Sequence, residues 1–133
     1  MIKLITGKKG SGKTKILIDM IKEATASTQG NIVCIDRGTK LTYDIPYTVR
    51  LADVDEYAIN SYDAFYGFVA GMFAGNFDIK EVFVDSILRV CGRDYEKLGE
   101  TLAKLDKISK EVEVVFTISA DRDELPESVA KYI

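Results

Sequence analysis

Four short apolar runs set the terms on which this chain can fold: IKLI at 2–5, NIVCID at 31–36, EVFVDSI at 81–87 and EVEVVFTIS at 111–119. Each is too short for a helix and rich in β-branched or aromatic residues, so each is expected to be a strand. They read as continuous rather than alternating runs, as strands covered on both faces do. Helical spacing fills the gaps. From Lys13 onward Ile16, Leu17, Met20, Ile21 and Ala24 repeat at helix period, and that helix should fade between Ser27 and Gly30. SYDAFYGFVAGMFAG (61–75), with Asn60 or Ser61 as cap, reads as a second helix. DYEKLGETLAKLDKISK (94–110) places Tyr95, Leu98, Leu102 and Leu105 on one face of a third. Pro46 breaks the segment 39–59, in which YTVRL (47–51) is a candidate fifth strand, and a short terminal helix is expected near Pro126.

Strands alternating with helices call for an α/β fold: a three-layer sandwich with a mainly parallel sheet of four to five strands flanked by helices. A length of 133 residues suits one domain, 1–133, and neither a repeat nor a linker divides it. The formal charge of −3 argues against general nucleic-acid affinity, although Lys8, Lys9, Lys13 and Lys15 gather locally. Cys34 and Cys91 fit no metal spacing, and Cys34, inside an apolar run, is expected to be a buried, reduced thiol. With no histidine, imidazole catalysis and most zinc sites are excluded. MIKLIT gives way to glycine too soon for a signal peptide, and the uncharged run 64–77 is too short to span a bilayer. The protein is therefore expected to be cytoplasmic, with no membrane span.

Glycines crowd the junction between the first strand and the first helix, ITGKKGSGKTK at 5–15. Gly7, Gly12, Lys13 and Thr14 fit G-x-x-x-x-G-K-[ST], a spacing that matters only between a strand and a helix, where it lies here. A loop running into a helix N-terminus offers converging N–H donors and the positive end of the helix dipole, and glycine lets an anion approach the backbone. Residues 7–15 (Gly7, Lys8, Lys9, Gly10, Ser11, Gly12, Lys13, Thr14 and Lys15) are thus the candidate phosphate-binding set.

The loop resembles the Walker A motif of the P-loop nucleoside-triphosphatases, and VFVDS (82–86) is similar to their Walker B strand, with a recombinase-like ending. The resemblance implies ATP and Mg2+ as ligands, Lys13 reaching the β- and γ-phosphates, and Thr14 with Asp85 holding the metal from a strand beside the loop. Many such ATPases carry Glu after the Walker B Asp, but Ser86 stands here. By analogy with recombinase-like members, Asp36 is the first candidate to orient water, with Glu56 and Asp55 second. Thr117 and Ser119 are candidate γ-phosphate sensors, and Arg37, Arg50, Arg89, Arg93 and Arg122 are the arginines from which a finger could come. DRDE (121–124) reads as a solvated loop.

The expected function is a Mg-dependent ATPase coupled to a partner or to self-assembly. Two alternatives stay open: a small kinase acting on a nucleotide or small molecule, and a non-hydrolysing nucleotide-binding switch. KLDK (104–107) lacks the Asn or Thr of the guanine signature and lies mid-helix, which favours ATP over GTP. In the 61–75 helix Tyr62, Phe65, Tyr66, Val69, Met72 and Phe73 share one face while Gly67, Gly71 and Gly75 line the other. Such a helix is expected to be buried on both sides, its glycines admitting a neighbouring backbone, either from within the chain or from a second subunit or protein partner.

Overall fold

The computed structural model describes all residues from Met1 to Ile133. Its strands are β1 (Ile2–Gly7), β2 (Asn31–Asp36), β3 (Arg50–Asp53), β4 (Ile79–Val84) and β5 (Glu113–Ser119). The helices are α1 (Lys13–Ser27), α2 (Tyr62–Gly75), α3 (Ile87–Cys91), α4 (Tyr95–Ile108) and α5 (Glu127–Ala130). All five strands pair in parallel, in the order β1-β5-β4-β2-β3. Helices cover both faces, so the three-layer α/β sandwich expected from the alternation is what forms.

The pleat divides the apolar residues between two cores. Leu17, Ile21 and Ala24 of α1 pack on Ile32, Cys34, Phe83 and Val115, together with Leu41, Ile45 and Val49 from the segment before β3. On the other face Val33, Val82, Val84, Val114 and Phe116 meet Phe65 and Val69 of α2 and Leu98, Leu102 and Leu105 of α4. Successive residues Val82, Phe83 and Val84 thus point to opposite layers, which is why these strands read as unbroken apolar runs.

The sheet register places the polar strand ends side by side. Gly7 pairs with Ser119, Val84 with Phe116, Ile35 with Val84, and Asp36 with Asp53. The carboxyl ends of β1, β5, β4, β2 and β3 therefore lie along one rim. Gly7, Ser119, Asp85 and Asp36 lead the chain away from it.

Three expectations need correction. The run 81–87 is not one strand: β4 ends at Val84, and Ile87 already belongs to α3. Asp85 donates its N–H to Ile35 in a last ladder-like bond of 2.9 Å. Ser86 then turns into the left-handed region (φ 59°) and gives its N–H to the Thr117 hydroxyl instead. Nor does Asp85 lie on a strand beside the loop's own, because β5 separates β4 from β1. Finally, α2 is buried on one face only. Tyr62, Phe65 and Val69 are buried, whereas Gly67, Gly71 and Gly75 are exposed, with no atom within 4 Å of where a Cβ would stand. No neighbouring backbone of this chain presses on the glycine stripe. No helix is long and apolar enough to cross a membrane.

Candidate functional site

β1 delivers the chain to the rim, where residues 7–14 wrap into the start of α1. Gly7 sits at φ 153°, and a Cβ there would lie 2.6 Å from the Ser11 hydroxyl oxygen, so only glycine lets the loop close on itself. Gly12, the residue before α1, is left-handed (φ 88°), which turns the loop into the helix. Lys13 is buried although it is a lysine; its ammonium donates to the Lys8 carbonyl at 2.8 Å and to the Ser11 hydroxyl at 3.3 Å. Burial lowers its pKa, and the Asp85 carboxylate opposes that shift.

Although β5 intervenes, Thr14 and Asp85 meet. The Thr14 hydroxyl donates to the Asp85 carboxylate at 3.2 and 3.3 Å. The strand between them contributes Thr117, whose hydroxyl donates to Asp85 at 2.6 Å and accepts the Ser86 N–H at 2.7 Å. Asp85 is fully buried, and Lys40, on the 3-10 turn after β2, approaches it to 4.0 Å.

One strand further along, Asp36 is also fully buried. Its Oδ1 accepts from Arg89 at 3.3 Å, while its Oδ2 has no hydrogen-bond partner. Burial pushes the Asp36 pKa up to about 6; Asp85 adds to the shift, while the Arg37 N–H, Lys40 and Arg89 oppose it. Cys34, two residues earlier, is held as the thiol, its pKa raised to about 12 by burial and by the charges of Asp36 and Asp85. It is no nucleophile.

Lys13, Thr14, Thr117, Lys40 and Arg89 line a cavity of about 570 Å³ with a single apolar lining residue, Leu88, while the fully buried Asp85, Asp36 and Cys34 are not among its lining residues. Lys9, Lys13, Lys40, Arg89 and Arg93 make its lining strongly cationic, and Thr14, Thr117, Ser86 and Ser119 add hydroxyls. Of the expected binding set, Lys9, Gly10, Gly12, Lys13 and Thr14 line it. Gly7 and Ser11 shape the loop behind it, Lys8 pairs with Asp121 at 3.7 Å, and Lys15 points away to Asp19 at 3.5 Å. Thr117 and Ser119 both reach the cavity. Glu56 does not: it is exposed on the 3-10 turn after β3, where Asp55 pairs with Arg37 at 3.2 Å. Among the candidate arginines only Arg89 and Arg93 line the cavity; Arg50 lies by the groove along α2, and Arg122 on the turn after β5.

Sequence reasoning missed Lys40 and the helix α3 that carries Arg89. Lys40 lies in a stretch with no clear period, so nothing in the pattern pointed to it. The five residues of α3 are too few to show one.

No trio of His, Cys, Asp or Glu side chains converges. For a divalent cation the Thr14 hydroxyl and the Asp85 carboxylate, 3.2 Å apart, offer two hard oxygen donors. That pair suits magnesium, which keeps water and phosphate oxygens as its remaining ligands. Compared with models of known protein families and with curated proteins, the chain matches none.

Proposed function

We propose that this chain is a P-loop nucleoside triphosphatase that binds ATP with Mg2+ in the cationic cavity and hydrolyses it, turnover being coupled to a partner or to self-assembly. One observation carries this: the hydroxyl at the start of α1 and the carboxylate after β4, 71 positions apart, meet within 3.2 Å beside the buried Lys13. A glycine loop without a ligand to serve would not require that meeting.

In this reading the N–H groups of residues 8–14 and the N-terminus of α1 face the phosphates, and Lys13 exchanges its carbonyl and hydroxyl partners for phosphate oxygen. Thr14 and Asp85 hold the magnesium ion, which when bound neutralises charge developing on the phosphates. Thr117 fixes the Asp85 carboxylate in orientation and links it to the Ser86 backbone. Asp36 takes the water-orienting role through its unpartnered Oδ2, and a pKa of about 6 leaves it mostly ionised at neutral pH. Asp36 accepts a hydrogen bond from the lining residue Arg89, whereas Glu56, exposed on the turn after β3, is the weaker choice.

Phosphotransfer to a second molecule is the alternative favoured by one feature, the pair of arginines lining the same cavity. Incubation with ATP and Mg2+, following phosphate release alone and with candidate acceptors, separates the two. Release without acceptor supports hydrolysis, and release or transfer only with an acceptor supports the kinase. Binding without either leaves a nucleotide switch, while a Lys13→Ala variant that binds ATP as well as the wild type overturns the whole proposal.

A further inference from the structure

The cavity holds more cationic groups than the glycine loop supplies, and those from outside the loop differ in how they are paired. Lys40 is spoken for by the buried Asp85 at 4.0 Å, and Arg89 by the buried Asp36 at 3.3 Å. Arg93 forms no ion pair. Its guanidinium donates only to two neutral acceptors, the Ser119 carbonyl at 3.3 Å and the Tyr95 hydroxyl at 3.4 Å.

The backbone holds this arginine in place. Between Asp85 and Arg93 the chain makes one unit, α3, bounded by left-handed Ser86 (φ 59°) and Gly92 (φ 103°). Ile87, Leu88 and Val90 anchor it in the core. At its far end the Tyr62 hydroxyl donates to the Gly92 carbonyl at 2.5 Å. Arg89 and Arg93 thus project from a fixed turn onto the cavity lining, near the hydroxyls of Ser86 and Ser119.

We propose that Arg93, with Arg89, Ser119 and Ser86, forms a second oxyanion subsite in the cavity, separate from the glycine loop, that takes a tetrahedral phosphate-class dianion. Guanidinium binds such a group through paired N–H donors, and the neighbouring hydroxyls can donate to its remaining oxygens. Arg89 can take part while keeping Asp36, because one nitrogen makes that contact. The phosphate-class group has two sources, the terminal phosphate of a loop-bound triphosphate or a phosphate on another molecule. The subsite rests on the nucleotide reading only for what occupies the loop.

Inorganic phosphate is the probe. It is titrated calorimetrically into the full chain at constant ionic strength in three settings: without nucleotide, with saturating Mg-ADP, and with a saturating non-hydrolysable triphosphate analogue. One phosphate should bind per chain in the presence of Mg-ADP. Arg93→Gln, at an exposed side chain that leaves the fold undisturbed, should weaken it at least tenfold, the loss of a charged hydrogen-bonding partner. In the nucleotide-free setting the glycine loop can take a phosphate of its own, so the Arg93→Gln effect is read with Mg-ADP filling the loop. If the analogue blocks phosphate, the subsite serves the terminal phosphate of the nucleotide; if both bind together, it serves a second phosphorylated molecule. Phosphate binding that ignores Arg93→Gln, or no phosphate binding in any setting, overturns the subsite. Arg93-dependent phosphate binding in a chain that takes no ADP keeps the subsite and removes the nucleotide reading instead.

Discussion

Two cavities of the molecule are nearly equal in size and differ in what lines them. One, of about 570 Å³, lies at the carboxyl rim of the sheet and has a single apolar lining residue. The other, of about 580 Å³, runs between α2 and the β2–β3 edge; Phe68, Met72, Ala52 and Ile79 line it with the bare backbone of Gly71 and Gly75. The first is polar because parallel strands all end there, handing their loops and helix starts to one place. The second is more apolar because α2 turns only one face to the core and leaves its glycine stripe uncovered. Size says nothing about function here; the origin of the lining does.

If that contrast is right, the greatest effect on turnover should come from the rim and none from the groove. Asp36→Asn should slow phosphate release by about 10²–10⁴-fold, the usual range for loss of a positioned general base. Glu56→Gln and Gly71→Ala should stay within about twofold of the wild type on the scale of such effects. Equal losses for Asp36→Asn and Glu56→Gln would show that burial at the rim does not mark the water-orienting group. Lys13→Ala comes next. Removing a charged partner should weaken ATP binding by about 1.5–3 kcal/mol, roughly ten- to a hundredfold, as read by equilibrium titration. Met72→Ala in the groove should leave that affinity unchanged.

Much of this architecture was legible in the sequence because parallel strands buried on both faces leave an unmistakable apolar signature. NIVCID coincides with β2 to the residue, since its neighbours Gly30 and Arg37-Gly38 mark both ends. The glycine loop was equally readable, its spacing imposed by local backbone geometry. Less visible was whatever depended on strand order. Nothing local tells β4 that β5 will stand between it and β1, so Thr117's place between Thr14 and Asp85 could be suspected only from its being a hydroxyl at a strand end. The exposure of the α2 stripe is hidden from the sequence for a related reason. Glycine looks the same to a periodicity argument whether a backbone presses on it or nothing does.

The rim also differs from the groove in how it titrates. Asp36 has its pKa raised in the folded chain from 3.8 to about 6, so the native state holds its proton more tightly than the unfolded one. Stability is then greatest below about pH 4 as far as this group is concerned, and falls as pH rises through 6. The loss should be on the order of 2–3 kcal/mol, complete by about pH 7. Urea unfolding of wild type and Asp36→Asn across pH 4–8 tests this, because the variant should lack that component of the slope. Turnover should move oppositely, failing below about pH 6 as Asp36 takes up its proton. A wild-type stability that rises with pH over this window in step with the variant's would mean that Asp36 is not protonated early.

Smaller effects separate glycines that the loop needs from those it does not. Gly7→Ala would set a Cβ 2.6 Å from the Ser11 oxygen, at a backbone angle unsuited to side chains. A cost of about 1–2 kcal/mol in unfolding free energy is expected. Pairing it with Ser11→Ala should recover part of that cost, since the nearest clash is with the hydroxyl. A full-sized loss in the double variant would assign the whole effect to the backbone.

The smallest effect is the most informative about the groove. Gly71 stands within α2 with nothing within 4 Å of a Cβ, so Gly71→Ala should stabilise the isolated chain by about 0.5–1 kcal/mol through helix propensity alone. Gly99 in α4 is its control: a Cβ there would lie 2.6 Å from the Ser128 oxygen and 3.1 Å from the Ser128 Cβ, so Gly99→Ala should destabilise. Thermal melts at two protein concentrations compare them. A concentration-independent gain for Gly71→Ala would mean that the stripe is bare in solution. A loss that deepens at high concentration would mean that a second copy lies against the glycines. The unfilled space beside α2 would then be where one chain meets the next, on a different surface from the rim where Lys13, Asp36 and Asp85 gather.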